Sequence, residues 1–594
     1  MNIYKIYVYA IVVDYLSLRS LIIIMYIEVY EEWCNSEALS VCDKKELASI
    51  ENDEKAIEYR FGKDLEFGTA GMRGIIGMGT NMMNVFTVRR ATQGLADYMK
   101  TLGKRAVKRG VVISYDTRRM SYEFAYNAAV VLVSNGIKTY LFKEVHPVPM
   151  LSFAVRERRA FAGIMITASH NPKEYNGYKI YGRDGAQMSV EATARLVEYI
   201  NAVGSPVSGK IVYDENKNKN IIYTPNSVDK KYYATIKKLC LSRKEVKAVG
   251  KTVKFVYTPV HGSGYIPVTT ILKKIGVNAI LVPEQVNKDP EFTTVKVPNP
   301  EYKETLELAI KMADFKQADV AIGTDPDCDR LGVAVRNDKG EFTVLTGNQT
   351  GALLLDYVLR RLKETGKLDK RGFVVKSFVS TSMAKLIADD YGVTLYDVPV
   401  GFKYIGEKIK QYDDSGKGKF LFGFEESCGY LRGTHCRDKD AVVASMLLAE
   451  MVCYYTYRKE GVYQRLCELY EKYGFVYDHT DCKIYGGLNA MRDMNAVVER
   501  VRETNVKSLG NIKVLATRDY SKLIRTTAEG SSEEIDCSSC NAVYFELEGG
   551  GFVCLRPSGT EPKLKIYYSL PAENEEKAEE LLTAVKADFE KVIS

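Results

Sequence analysis

Thr167-Ala168-Ser169-His170-Asn171-Pro172 sets a hydroxyl nucleophile directly behind the apolar run Phe161-Ala162-Gly163-Ile164-Met165-Ile166. The run reads as a buried strand stopped by turn chemistry, a junction that holds a reactive side chain still. Pro172 and Gly177 bound the loop, and His170 and Lys179 bring positive charge or a transferable proton toward Ser169. Neighbours on an extended chain point in opposite directions, so the Ser-His dipeptide alone does not imply a general-base pair. Taken alone, the same Asn, Pro, Gly and Ser would equally make a plain surface turn. As a set, these groups suit phosphate chemistry.

Three further loops change the balance. After Ala318-Asp319-Val320-Ala321-Ile322 comes Gly323-Thr324-Asp325-Pro326-Asp327-Cys328-Asp329-Arg330, in which three alternate carboxylates can converge on one hard cation through oxygen. Carboxylates this close repel unless a cation sits among them. Arg330 adds a planar phosphate-binding fork. An EF-hand is excluded, because the sixth and twelfth positions counted from Asp325 are Arg330 and Arg336, not Gly and Glu. The third loop, Gly423-Phe424-Glu425-Glu426-Ser427-Cys428-Gly429-Tyr430, follows Lys419-Phe420-Leu421-Phe422 and offers acceptors for the paired hydroxyls of a sugar. Behind it stands His435-Cys436-Arg437-Asp438-Lys439-Asp440. The fourth, Arg556-Pro557-Ser558-Gly559-Thr560-Glu561-Pro562-Lys563, combines cations, hydroxyls and a glycine-freed backbone into a phosphate cradle.

With these four loops in this order, the chain resembles the α-D-phosphohexomutase superfamily, from about Phe61 to the last helix. The double Glu of the third loop and the opening Phe67-Gly68-Thr69-Ala70-Gly71-Met72-Arg73-Gly74 resemble its phosphoglucomutase and phosphopentomutase branch more than its phosphomannomutase or phosphoglucosamine mutase branches. The resemblance implies an intramolecular phosphotransferase that interconverts glucose 1-phosphate and glucose 6-phosphate. Its route would be a phosphoserine at Ser169 and a bisphosphorylated sugar, with Mg2+ as metal and glucose 1,6-bisphosphate as primer. Carried onto this chain, it makes Ser169, His170, Lys179, Arg73 and Lys439 catalytic, and gives the metal to Asp325, Asp327, Asp329 and the phosphorylated Ser169. Substrate binding falls to Arg330, Glu425, Ser427, His435, Arg437, Arg556, Ser558, Gly559, Thr560 and Lys563. Rival readings are a phosphopentomutase, a phosphomannomutase, a phosphate hydrolase in which water takes the phosphate from Ser169, and a silent sugar-phosphate binding protein. Members of this branch usually carry an Arg within Gly79-Thr80-Asn81-Met82-Met83-Asn84, an Arg-Pro-Thr-Pro where this chain has His146-Pro147-Val148-Pro149, and a Thr where Val400 stands. Those departures bear on substrate preference and loop positioning, not on the core positions.

Elements that would carry these loops alternate along the chain. Strands are expected at residues 111–115, 163–167, 254–258, 320–323, 373–379 and 419–422, and helices at 122–135, 268–274, 302–313 and 441–457. That rhythm predicts parallel βαβ units. Paired strands at 543–547, 552–555 and 564–568 and a terminal helix close the chain. The expected class is α/β: three successive α/β/α domains with mixed or parallel sheets, then an α+β domain that the resemblance likens to a TATA-binding protein. Boundaries are set at 25–225, 226–335, 336–460 and 461–594. Residues 1–24 hold two apolar runs separated by Asp14 and Arg19, too interrupted for a membrane span, and translation is expected to start at Met25.

The 594 residues, 46% hydrophobic, are ample for several cores. A net charge of +7 fits a small anionic phosphosugar as partner; without a basic stripe interleaved with aromatics, nucleic acid is not expected, nor is a membrane. Walker-type and Gly-x-Gly-x-x-Gly loops are absent from the sequence, so no nucleotide cofactor is expected. Twelve cysteines occur singly apart from Cys537-Ser538-Ser539-Cys540, which lacks the partners of a zinc site; a reduced, cytoplasmic compartment follows, for a monomer or homodimer. Cys436, between His435 and Arg437, is the expected sensitive thiol.

Overall fold

The computed structural model describes residues 25–68, 71–486, 490–558 and 563–594. The expected extension 1–24 and the site residues Gly559 and Thr560 lie outside the described residues. The chain divides into two compact units, Met1–Val228 with Lys288–Pro298, and Asp229–Asn287 with Asn299–Ser594.

In the first unit the strands are β1 (Met72–Ile75), β2 (Val111–Tyr115), β3 (Thr139–Leu141), β4 (Ala162–Ile166), β5 (Tyr175–Tyr181) and β6 (Ile222–Tyr223). Among the described residues they form one sheet in the order β1-β5-β4-β2-β3-β6. β4, β2, β3 and β6 run parallel, while β5 turns back antiparallel to β4 and β1 pairs antiparallel to β5. Every residue of β2 and β4 is buried, because helices cover both faces of a parallel sheet and its strands therefore read as unbroken apolar runs. The helix Val85–Thr101 supplies one cover. Asn84 starts it with a capping box, accepting from Thr87 N while Thr87 Oγ1 accepts from Asn84 N, and Val88, Ala91, Leu95 and Met99 line its core face. Upstream, the helices at 25–35, Val41–Ala48 and Glu54–Phe61 pack around Trp33, whose ring meets Phe61 and Phe86 edge-on.

The second unit holds three sheets among its described residues. β7 (Phe255–Thr258), β8 (Ala279–Leu281), β9 (Val320–Thr324), β10 (Leu331–Arg336) and β11 (Phe342–Leu345) order as β11-β10-β9-β7-β8. β12 (Gly372–Ser377), β13 (Thr394–Val398), β14 (Lys419–Glu425) and β15 (Gly429–Leu431) order as β13-β12-β14-β15. In both, parallel strands end in an antiparallel hairpin, β9 with β10 and β14 with β15. The last sheet is antiparallel throughout. Its main strands are β16 (Phe475–Ile484), β17 (Ser508–Leu509), β18 (Ile512–Asp519), β19 (Ile524–Thr527), β20 (Ser532–Glu534), β21 (Val543–Leu547), β22 (Phe552–Pro557) and β23 (Lys563–Ala572). The helices Ala490–Glu503 and Glu575–Ile593 pack on this sheet through Met494, Val498, Val585 and Phe589. Three α/β/α domains and a C-terminal sheet-rich domain are thus present, as expected.

One topological device recurs. The Ser169 loop joins β4 to β5, the aspartate loop joins β9 to β10, and the double-Glu loop joins β14 to β15. Each leaves the carboxyl end of a buried parallel strand and returns antiparallel beside it, which puts polar residues at a strand end where ligands of open α/β sheets bind.

Candidate functional site

Each of these loops contains one non-glycine residue in the left-handed region: Ser169 at φ 53°, Cys328 at 51° and Cys428 at 60°. Such a residue costs about 1–3 kcal/mol and persists only where its surroundings over-determine it. At Ser169 the turn has a chemical consequence. It swings the chain so that Ser169 Oγ lies 3.1 Å from His170 Nδ1, although the two would diverge on an extended strand. Thr167 Oγ1 accepts from Ser169 N at 2.8 Å, and Arg73 Nη1 donates to Asn171 Oδ1 at 2.8 Å. Arg73 reaches the loop because β1 pairs with β5, opposite Gly177, and Lys179 lies on the same β5, buried and opposite Met165 of β4. Gly71, at φ 90°, permits this approach: a Cβ there would stand 2.2 Å from Tyr178 O. Ser169, His170 and Arg73 are therefore brought together within the first unit, with Lys179 on the strand that pairs with β1 and β4.

In the second unit Asp325, Asp327 and Asp329 are buried, with carboxylate oxygens within 4.8 Å of one another. Burial pushes the Asp325 carboxyl well above the usual carboxylate range, and the charges of Asp327 and Asp329 push it further. Asp325 Oδ1 accepts from Asp329 N and Arg330 N, both at 3.0 Å, which aims the loop inward. Three buried, mutually repelling hard-oxygen donors fit a divalent cation of the Mg2+ type, and the donor set lacks the nitrogen and sulfur that zinc favours. Lys439 Nζ lies 3.2 Å from Asp329 Oδ2 and 3.3 Å from Asp438 Oδ1. Burial alone would lower its pKa, but Asp329, Asp438 and Glu425 outweigh burial and hold it above the ordinary lysine range. Arg330 pairs with Glu301.

Glu425 ends β14 with Oε1 accepting from Gly401 N at 2.7 Å; burial pushes its carboxyl up to about 7, against the pull of Lys439. Ser427 is half-buried in the turn that follows. His435 and Arg437 are placed differently from the rest. The His435 imidazole is turned inward, Nε2 lying 2.7 Å from Asp440 Oδ2 and its ring edge-on to Tyr232, while Arg437 Nη2 binds Asp413 at 2.5 Å. Tyr232 OH donates to the same Asp440 carboxylate, whose Oδ1 also caps the helix Ala441–Arg458 through Val443 N. That network explains the close grouping of His435, Cys436 and Asp440. It also bears against the thiol expectation, since Cys436 is fully buried, with Sγ 3.4 Å from Asp438 O. Of the fourth loop, Arg556 lies on β22, and Ser558 N donates to Lys563 O at 2.8 Å, closing the hairpin at its described ends.

Sequence reasoning passed over two supports. Asp116-Thr117-Arg118 follows β2, the strand beside β4, and its side chains are buried against the Ser169 loop. Pro259-Val260-His261-Gly262-Ser263 follows β7, the strand beside β9, and props the aspartate loop: Ser263 N and Oγ both donate to Pro326 O at 2.8 Å. Val260 at φ 46° and His261 at φ 61° are strained, the first a β-branched residue that seldom tolerates this region. The available signal was polar residues placed directly behind an apolar strand run, a pattern too common to single them out.

Three patterns match the chain: phosphoglucomutase/phosphomannomutase alpha/beta/alpha domain I at residues 64–206, domain II at 230–340 and domain III at 346–473. The chain is 36% identical over 537 residues to a phosphoglucomutase of Staphylococcus haemolyticus (strain JCSC1435), covering 90% of this chain and 95% of that one. It is 36% identical over 523 residues to a phosphoglucomutase of Staphylococcus aureus (strain USA300), covering 87% and 92%. Among solved structures, pp63/parafusin, a phosphoglucomutase of Paramecium in its open form, shares the fold at a TM-score of 0.65 and 16% identity, over 89% of this chain and 94% of that one. A phosphoglucomutase/phosphomannomutase family protein of Burkholderia thailandensis does so at 0.63 and 17%, over 88% and 96%.

Proposed function

The chain belongs to the phosphoglucomutase/phosphomannomutase family, and from that premise we propose that it interconverts glucose 1-phosphate and glucose 6-phosphate through a phosphoserine at Ser169. The observation that carries the reading is the likeness to phosphoglucomutases over nine-tenths of the chain. Ser169 Oγ rests phosphorylated. The free sugar hydroxyl attacks that phosphorus, the Ser169 Oγ–P bond breaks, and the hydroxyl proton ends on Ser169 Oγ, with His170 Nδ1 at 3.1 Å placed to relay it. The sugar bisphosphate then presents its other phosphate, Ser169 Oγ attacks that phosphorus, the sugar O–P bond breaks, the Ser169 proton passes to the departing sugar oxygen, and the isomeric monophosphate leaves. Arg556, Ser558 and Lys563, with Gly559 and Thr560, grip the phosphate that is not reacting, and Glu425 and Ser427 take sugar hydroxyls. His435 and Arg437 hold the loop that presents Lys439.

Asp325, Asp327 and Asp329 would hold Mg2+, with the phosphoserine as a further ligand; when bound it neutralises charge on the transferring phosphoryl oxygens. Lys439, kept charged by its acidic neighbours, adds to that neutralisation. A trace of glucose 1,6-bisphosphate primes the serine. Among the described residues no helix is long and apolar enough to cross a membrane, and we place the reaction in the cytoplasm. The test is turnover of glucose 1-phosphate, mannose 1-phosphate and ribose 1-phosphate, each with a trace of its bisphosphate. Glucose 1-phosphate should lead by at least about tenfold in kcat/KM, the discrimination open to a site that hydrogen-bonds a hydroxyl. Parity with mannose, or a lead for ribose, overturns the glucose assignment.

A further inference from the structure

We propose that Arg118 is a positioning residue for Ser169: its guanidinium gathers the carbonyls of the nucleophile loop and thereby sets the direction of the Ser169 hydroxyl. The side chain is fully buried. Nη2 donates to Ser169 O at 2.6 Å and to Asn171 O at 2.5 Å, and Nη1 donates to Pro172 O at 2.8 Å and to Tyr175 O at 3.2 Å. Four carbonyls within seven residues thus turn inward onto one planar fork, including that of the left-handed Ser169 itself. Backbone carbonyls so crowded repel one another and would lose water on burial without a donor for each. Only arginine offers that many N–H groups in a fixed plane; a lysine ammonium is a point donor and cannot serve both ends of the loop.

The guanidinium is itself held on two sides. Asp116 Oδ2 lies 3.4 Å from Nε, while Asp116 Oδ1 accepts from Arg118 N at 3.0 Å and from Ser121 Oγ at 2.7 Å. On the other side, the ring of Phe292 lies 5.1 Å from the guanidinium carbon. Phe292 belongs to Lys288–Pro298, the segment of the first unit supplied from far along the chain, and sits buried at a strained φ of 47°. Its neighbour Glu291 is shared by Arg119 Nε at 3.2 Å and Lys173 Nζ at 3.1 Å, which straps the segment across both shoulders of the loop. The Arg118 guanidinium is buried and turned onto the loop's own carbonyls, so its effect should appear in the chemical step and not in binding.

The full chain carrying Arg118→Lys, Arg118→Ala or Phe292→Leu is assayed for kcat, KM and phosphate on Ser169. Arg118→Lys should lose at least about 100-fold in kcat with KM within about threefold, the size expected for a displacement of the nucleophile by about 1 Å. In Arg118→Ala, millimolar guanidinium should restore part of the lost kcat and leave Ser169→Ala untouched; Phe292→Leu should cost about three- to tenfold, as the loss of one cation–π contact does. Arg118→Lys that keeps a third or more of parental kcat, or a rise in KM that accounts for the loss, overturns the proposal. So does failure of guanidinium to restore a folded Arg118→Ala; should that variant not fold, Arg118→Lys decides. The inference rests on Ser169 as nucleophile: an active Ser169→Ala sinks that reading, whereas an active Arg118→Lys beside an inactive Ser169→Ala sinks only this one.

Discussion

The loop after β4 and the loop after β9 occupy equivalent places in their sheets, yet opposite electrostatics hold them. The Ser169 loop turns its carbonyls inward onto a buried cation that the chain supplies itself. The aspartate loop turns N–H groups inward onto Asp325 and crowds two more carboxylates beside it. A loop with its own counter-charge is finished on folding. A loop in which three buried carboxylates share one neighbouring ammonium, Lys439 beside Asp329, is finished only when a further cation arrives. The comparison separates what each loop needs: the first should fail in chemistry alone, the second in chemistry and stability together.

The largest effect falls on the first loop. Ser169→Ala should lower turnover by at least about three orders of magnitude, as expected when a covalent catalytic group is removed, while the thermal midpoint stays near the parent's. Intact-mass analysis should show the parent carrying one phosphate and the variant none. Full activity in the variant, with phosphate elsewhere, would remove Ser169 from the reaction.

The second loop should break on both counts. Excess EDTA, or Asp327→Ala, should abolish turnover. Adding Mg2+ should then raise the thermal midpoint of the chelated parent, because a ligand that binds only the folded state stabilises it, and should leave that of Asp327→Ala unmoved. Undiminished turnover in EDTA, or equal midpoint gains in both proteins, refutes the assignment.

A finer test concerns the support behind the aspartates, the counterpart of Arg118. Gly262 packs so closely that a Cβ would stand 2.6 Å from Pro326 Cα and 3.0 Å from Asp325 O. Gly262→Ala must therefore shift the metal loop. We expect Mg2+ affinity, read by titrating activity, to fall about 10- to 100-fold, as when an outer-shell support is lost. Unchanged affinity would mean that the turn at Val260 and His261 is not what sets the aspartates.

What the sequence revealed, and what it hid, follows the same division. The strand at Val111–Tyr115 is observed over its expected residues, and those at Ala162–Ile166 and Lys419–Glu425 close to theirs, because buried parallel strands are written as apolar runs. The aspartate cluster was legible from alternate spacing, which only a shared cation makes sensible. The Ser169–His170 contact was not, since it depends on one left-handed residue that no periodicity encodes. Arg118 was hidden for another reason: its partners are backbone carbonyls, which leave no trace in side-chain pattern. His435 and Arg437 were expected to bind substrate, and no sequence pattern signalled that Asp440 and Asp413, 5 and 24 residues away in the chain, engage them.

Glu425 gives the smallest effect and tests a third loop against the other two. Its carboxyl is raised from 4.5 to about 7, chiefly by burial, so the folded protein holds a proton there that the unfolded chain has released. Below pH 4.5 both states are protonated and the group contributes nothing to the pH dependence. Between about 4.5 and 7 the folded state binds more protons than the unfolded state, so stability falls as pH rises, and the loss is complete above about 7. Glu425→Gln, which keeps the shape but cannot ionise, should flatten this part of the profile: the drop in thermal midpoint from about pH 5 to about pH 8 should be smaller in the variant by a few degrees. The carboxylate charge is set by Lys439 and Glu426 as well as by burial, so the same variant should also respond less to Mg2+, which changes the charge that Asp329 presents to Lys439. An identical pH profile in parent and variant would place Glu425 with the ordinary surface acids, and the double-Glu loop would then resemble the self-balanced Ser169 loop more than the aspartate loop.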